Sequence, residues 1–307
     1  MNGRHGIEDA VVDLIGAKGP CTGFEIEEEL NADSLLLWRT CRTSGRLEVR
    51  RLGKRYMRLD RHVDGFARLS PSILREFLTY SVVGLAGDSG PLDEKCREVD
   101  RRIRQISRYK YELARRTVSE IMEEFEEGKD KADQICFVIA GDIVYDMAHD
   151  VPRPERSTGK LVRGSDIDLV VVVDDDLPES CIRGLDELIY RKKYRMLIDP
   201  AVNEEIDYKI KRVALVREQA SFDDFKRMVA VKILGEGLLL YGSESLYGTV
   251  RAILQERDLS GKLDDLESLA RSFRDRAEEL IMKDSVDREI IRKMHLFYST
   301  EEYEEFE

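Results

Sequence analysis

The stretch RGSDIDLVVVVDDD, Arg163 to Asp176, constrains this chain more than any other. Two aspartates, Asp166 and Asp168, stand directly before the apolar run Leu169–Val173. In an extended strand, side chains at i and i+2 point the same way, so both carboxylates share one face while Ile167 points to the other. Like charges that close repel each other, and burial makes the repulsion worse. Something must compensate. A third carboxylate suggests what: in EEIDYKI, Ile206, Tyr208 and Ile210 face one way, so Asp207 shares the opposite face with Lys209. If the two strands are neighbours, three carboxylates converge on one spot. Hard all-oxygen ligands select Mg2+ or Mn2+. Sites of that kind serve in-line phosphoryl or nucleotidyl transfer.

At these residues the chain resembles a known family. GSDIDLVVVV looks like the paired-aspartate signature of the nucleotidyltransferase superfamily. DNA polymerase beta, kanamycin nucleotidyltransferase, the tRNA CCA-adding enzymes and the minimal nucleotidyltransferases share that fold. In the family, a glycine-led turn joins an upstream strand to a helix and holds the nucleotide's phosphates. The paired-aspartate strand follows, and a third carboxylate lies on a later strand. The matching positions are Gly141 in FVIAGDIVYD, Asp166 and Asp168 after Ser165, and Asp207; VKILGEGLLLYGSESLY is similar to a segment found downstream in minimal members. The likeness spans roughly Lys131 to Tyr247. It implies transfer of a nucleoside monophosphate from a nucleoside triphosphate to a hydroxyl acceptor, with release of pyrophosphate. It further implies that Asp166 and Asp168 bridge the metal ions, and that Asp207 binds the catalytic one and helps deprotonate the acceptor. Gly141 would permit close backbone approach to the phosphates, with Ser165 beside them.

Two departures from the family pattern bear on nucleotide binding. Asp142 follows Gly141 where the family has Ser or Gly. A carboxylate there competes with phosphate for the helix N-terminal amides, or simply caps them. Gly141 and Asp166 are also 25 positions apart, and the intervening DVPRPERSTGKLVRG carries Arg153, Arg156, Lys160 and Arg163. These cations are expected either to close over the phosphates or acceptor, offsetting Asp142, or to lie on a surface loop. The four histidines make no pair at zinc-ligand spacing. STGK at Ser157 lacks the upstream glycine of a P-loop.

The 307 residues suit two domains on a prior of about 150 each. The N-terminal stretch reads as helices in GIEDAVVDLIGAKG, GFEIEEEL and NADSLLLWRTCRTSG, then two alternating strands, RLEVRRL and KRYMRLD, around Gly53-Lys54. That order resembles a winged helix-turn-helix, whose third helix enters the major groove while the wing touches backbone. Arg39 and Arg42 on the helix and Arg50, Arg51, Lys54 and Arg55 on the wing would then bind nucleic acid. The chain carries −12 overall, yet nine Lys/Arg stand against Glu48 and Asp60 between Trp38 and His62, a local surplus of seven. Local sign governs the docking of a polyanion. RHVDGFARLSP reads as a linker, Pro71–Ala86 as a helix, and Leu92–Glu127 as a long charged helix suited to spacing or to homodimer formation. The tail STEEYEEFE reads as a solvated end.

The expected fold is therefore α+β: a nucleotidyltransferase-like mixed sheet flanked by helices, after a winged-helix domain and a helical spacer, and before C-terminal helices. The boundaries fall at 1–65, 66–131, 132–247 and 248–307. Five dispersed cysteines without CxxC pairs fit a reducing cytoplasm, and no 18-residue apolar run marks a membrane span. Three functional readings follow. One is the metal-dependent transferase. A second is a DNA-binding regulator with a catalytically degenerate transferase fold. A third is template-free tRNA modification, with the basic domain as an RNA grip. The acceptor is left open among nucleic acid, a protein side chain and a small molecule.

Overall fold

The computed structural model describes residues 2–155, 158–283 and 286–299. It is a mixed α and β structure that packs as two compact units, one of residues up to Arg102 together with those from Leu266 onward, the other Ile103–Asp265.

The first unit opens with α1 (Asn2–Lys18), β1 (Cys21–Thr22), α2 (Gly23–Leu30) and α3 (Ser34–Thr43). A capping box starts α2: the Glu25 amide donates to Thr22 Oγ1 (3.2 Å) and the Thr22 amide to Glu25 Oε2 (2.7 Å). Asp33 caps α3 by accepting from the Leu36 amide at 2.9 Å. Then follow β2 (Leu47–Arg51), β3 (Tyr56–Leu59), β4 (Ala67–Ser70), α4 (Ile73–Thr79) and β5 (Ser81–Leu85).

Here the structure corrects the sequence reading. β2 and β3 do not form a hairpin around Gly53: β2 pairs antiparallel with β5 and β3 with β4. The stretch expected to be a linker supplies β4, and the helix expected over Pro71–Ala86 ends at Thr79 and gives way to β5. The β-branched pair Val82-Val83 favours strand over helix. Both are fully buried because β5 is the central strand of the order β1-β5-β2. Val11, Ile26, Leu37, Trp38 and Phe77 build the core of this unit with Ile281 and Phe297 from the chain's last segment.

The second unit takes α5, Ser89–Glu124, from Ile103 onward. It continues through β6 (Ile135–Ala140), β7 (Pro152–Pro154), β8 (Leu161–Arg163), β9 (Ile167–Val173), α6 (Glu179–Ile198) and β10 (Ile206–Arg212). Next come α7 (Val213–Gln219), α8 (Phe225–Glu236), β11 (Leu238–Gly242), α9 (Glu244–Glu256) and α10 (Leu259–Ile281), the last crossing back to the first unit. Its main sheet has the order β10-β9-β6-β11, with β10 parallel to β9 and the other pairs antiparallel. β11 lies in a segment read from sequence without a strand.

The apolar run of β9 is explained by burial on both faces. Ile167, Leu169, Val171 and Val173 pack with Ile206, with Leu113 and Val118 of α5 and with Leu185 of α6. Val170 and Val172 pack with Val138, with Val216 of α7, Val231 of α8 and Val250 of α9. Helices on both faces leave no solvated side for polar alternation, which is what a continuous apolar strand reports. Val171 is fully buried at the centre. Its replacement by alanine is expected to destabilise this unit by about 2 kcal/mol through lost methyl burial and a residual cavity. Urea denaturation of the variant checks this; an unshifted midpoint would mean that the strand is not the packing centre.

Candidate functional site

The register of the parallel pair decides the site. Asp207 is the direct partner of Asp168, and Ile206 of Ile167. Since Ile167 and Ile206 enter the cluster with α5 and α6, Asp168 and Asp207 lie together on the opposite face, as the strand alternation requires. Asp168 is half-buried and Asp207 exposed. On its other side Asp168 pairs with Ala140 of β6, and Gly141 follows with φ +73°. A Cβ built on Gly141 would lie 2.2 Å from Asp168 Oδ2. The glycine therefore makes room for the Asp168 carboxylate, in a backbone conformation that L side chains rarely adopt.

Asp166 stands just outside the strand, half-buried, with the Arg153 guanidinium 3.8 Å from its Oδ2. It leans toward that cation. Among the described residues, no three His, Cys, Asp or Glu side chains form a group able to hold a metal ion. The expected carboxylate trio is thus split into an in-register pair, Asp168 with Asp207, and an arginine-neighboured third.

The glycine turn also differs from the sequence reading. GDIVYDMAHD makes only a 3-10 turn at Gly141–Tyr145, closed by Asp146 at φ +60°. Ala140 is the N-cap of this turn and gives it no side-chain bond, while Asp142 Oδ2 accepts from Ser165 Oγ at 2.7 Å. Ser165 exchanges two further bonds with His149: its amide donates to the His149 carbonyl (3.0 Å), and the His149 amide donates to its hydroxyl (3.2 Å). Ser165 and Asp142 therefore tie the glycine turn to the start of β9.

The long loop is a hairpin of β7 and β8. Arg153 points inward, donating to the Gly164 carbonyl (2.8 Å) and to Glu205 Oε2 (2.9 Å). Lys160 and Arg163 have exposed side chains, while Arg156 and Ser157 lie outside the described residues. The Arg163 carbonyl accepts from Lys110 Nζ at 2.6 Å, and Lys110 also pairs with Glu204; both partners are about 1% exposed. Burial lowers the Lys110 pKa and raises that of Glu204, each opposed by the partner's charge. Glu205 is likewise raised by burial, with Arg153 pulling it back.

Sequence reasoning missed Lys110, Glu204 and Glu205. A signal existed: Lys110 occupies an apolar position of α5, one turn from Ile106 and Leu113, where a lysine stays only if paired.

The basic cluster of the first unit is largely engaged by its own acids. Arg55 pairs with Glu76 (2.6 Å) and Glu278 (2.8 Å), and Arg50 with Glu48 (2.7 Å) and Asp93. Arg42 is 3.7 Å from Glu278, and Arg39 donates to the carbonyls of Ile281 and Lys283 at the end of α10. Lys54 also has an interaction of its own, and Arg51 is exposed. In the same unit the His62 and His295 rings stand 5.6 Å apart, a proximity the sequence spacing did not show. Compared with protein-family models, curated proteins and solved structures, the chain has no match.

On the carboxylate face one buried cation has no ion-pair partner among the described residues. Lys211, two positions past Lys209 on β10, has its pKa pushed down to about 8, first by burial and then by the Lys209 charge. Below pH 8 both folded and unfolded chains hold this proton, and the cost of the buried ammonium is fully present. Between about 8 and the ordinary 10.5 only the unfolded chain holds it, so stability rises with pH across that window. Lys211→Met is expected to stabilise the protein at pH 7 by about 3 kcal/mol and to flatten that rise. Denaturant melts from pH 7 to 10.5 read both effects; an unchanged slope would assign the titration elsewhere.

Proposed function

We propose that this chain is a metal-dependent nucleotidyltransferase that moves a nucleoside monophosphate from a nucleoside triphosphate to a hydroxyl acceptor, releasing pyrophosphate. One observation carries the reading: Asp168 and Asp207 stand in register on one face of a parallel strand pair, and Gly141 yields its side-chain space to Asp168. The donors suit a hard cation, since Mg2+ takes one or two carboxylates and keeps its remaining positions for water and phosphate oxygens. When bound, such an ion would polarise the reacting phosphate and offset the negative charge gathered there. In this reading the half-buried Asp168 would anchor the site, and the exposed Asp207 would take the acceptor's proton. Asp166 would join them on leaving Arg153, whose guanidinium then faces the incoming phosphates. Ser165 and the glycine turn would lie beside the nucleotide. The nucleotidyltransferase-like arrangement of the sheet and the winged-helix character of the first unit belong to this same reading.

A specific observation favours a second reading, a DNA-binding regulator with a degenerate transferase fold. The Asp142 carboxylate occupies Ser165 at the turn where phosphates would bind. Calorimetric titration with each nucleoside triphosphate, with and without Mg2+, separates the two, since the transferase requires metal-dependent binding.

Asp168→Ala is expected to abolish Mg2+-dependent pyrophosphate release from a mixture of triphosphates and cell extract. Its melting temperature should be unchanged or raised, because one of two neighbouring like charges is removed. Release that persists in the variant would refute the assignment.

A further inference from the structure

The exposed face of α5 carries a row of cations that neither core nor candidate site uses. Within the second unit, Arg104, Arg108 and Arg115 follow one another at helical spacing, with Tyr109 and Arg116 on the adjoining line seven positions apart. All five side chains are exposed, and Tyr109 shows 45% of its surface. Glu112 lies within the row, 3.1 Å from Arg115 in a solvent-exposed pair of little strength, and Arg104 has an interaction of its own. The opposite face of the helix, with Ile103, Leu113, Ala114 and Val118, is buried.

We propose that this face of α5 is a docking surface for single-stranded nucleic acid. Charge complementarity calls for a polyanion, and the planar guanidinium fork matches phosphate oxygens in two parallel bonds. Symmetric pairing with a second copy through this face would set arginine rows against each other, which like-charge repulsion opposes. A lipid surface needs an apolar face to sink into the interface, and the apolar face of α5 is already buried inside the protein. Tyr109 beside the row selects a single strand, because an exposed aromatic ring stacks on a base that has left its partner. This inference does not rest on the transferase reading.

Fluorescence anisotropy of the full chain with a labelled 20-nucleotide single strand, as RNA and as DNA, tests it without metal or nucleotide. The Arg108→Gln/Arg115→Gln/Arg116→Gln variant should bind at least tenfold more weakly. Its log Kd against log salt should be shallower by about 2, from three lost phosphate contacts at about 0.7 each. Tyr109→Ala should weaken binding about tenfold with the salt slope unchanged. Exposed positions should leave the melting temperature unaltered, which confirms folding. The proposal falls if the triple variant binds as the parent does, or if a duplex of the same sequence binds as tightly. It falls equally if phosphatidylserine vesicles bind and the oligonucleotides do not, or if Arg50→Gln/Arg51→Gln alone removes the binding.

Discussion

The parallel pairing of β9 with β10 holds the rest of this architecture in place. A slip of one residue would turn every side chain of one strand to the other face. Ile206 and Ile210 would then leave the cluster they form with Leu169, Val171 and the helices, and Asp207 would enter it. Each large apolar side chain so exposed costs about 1.5–3 kcal/mol. Two carboxylates side by side near a protein surface repel by a few kcal/mol at most. Burial on one face therefore fixes the register, and the register holds Asp168 beside Asp207 on the other. The repulsion is tolerated because the core outweighs it.

The start of β9 is held by a second device, one buried and one half-buried ion pair. Lys110 reaches from α5 to Glu204 and to the Arg163 carbonyl, while Arg153 spans Gly164 and Glu205. Such pairs add little net stability compared with apolar replacements, but leaving one partner alone is severe. Their consequence here is geometric. The backbone from Arg163 to Ser165 is gripped from α5, from the hairpin and, through Ser165, from the glycine turn. Asp166 emerges from that clamp already next to Arg153, so its charge is shared between a fixed guanidinium and whatever enters the site.

How much of this was legible follows from what each residue encodes locally. β9 could be read from its apolar run and β10 from its alternation, because the side-chain pattern is a property of the strand itself. Which strands pair is not. RLEVRRL and KRYMRLD both alternate and both border Gly53, yet their partners are β5 and β4. Gly141 also clears space for Asp168, a contact visible only after β6 and β9 are aligned. The basic cluster between Trp38 and His62 was visible as composition, but its acids, Glu76, Asp93 and Glu278, lie far along the chain. Charge counted in a sequence window overstates charge presented to solvent whenever distant acids fold back onto it.

That last point changes where a polyanion would meet the molecule. Arg50 and Arg55 of the basic cluster are paired with acids of their own unit, whereas Arg108, Arg115 and Arg116 of α5 are exposed, with Glu112 beside Arg115. The packed face of α5 meets the side of the sheet opposite Asp168 and Asp207, since Leu113 and Val118 share their cluster with Leu169 and Val171. A strand lying on the exposed row is therefore separated from the carboxylates by the helix and the sheet. Lys110, however, brings this helix to the end of the sheet where β9 and β10 begin, and Arg108 and Tyr109 are its immediate chain neighbours. A bound single strand could round that end past the exposed Arg163 without crossing the sheet. The arginine row would thus serve as an anchor for the body of the strand, leaving only its terminal hydroxyl to reach the acidic face. That division suits an acidic site, which repels a phosphate backbone but accepts a hydroxyl once a cation is present.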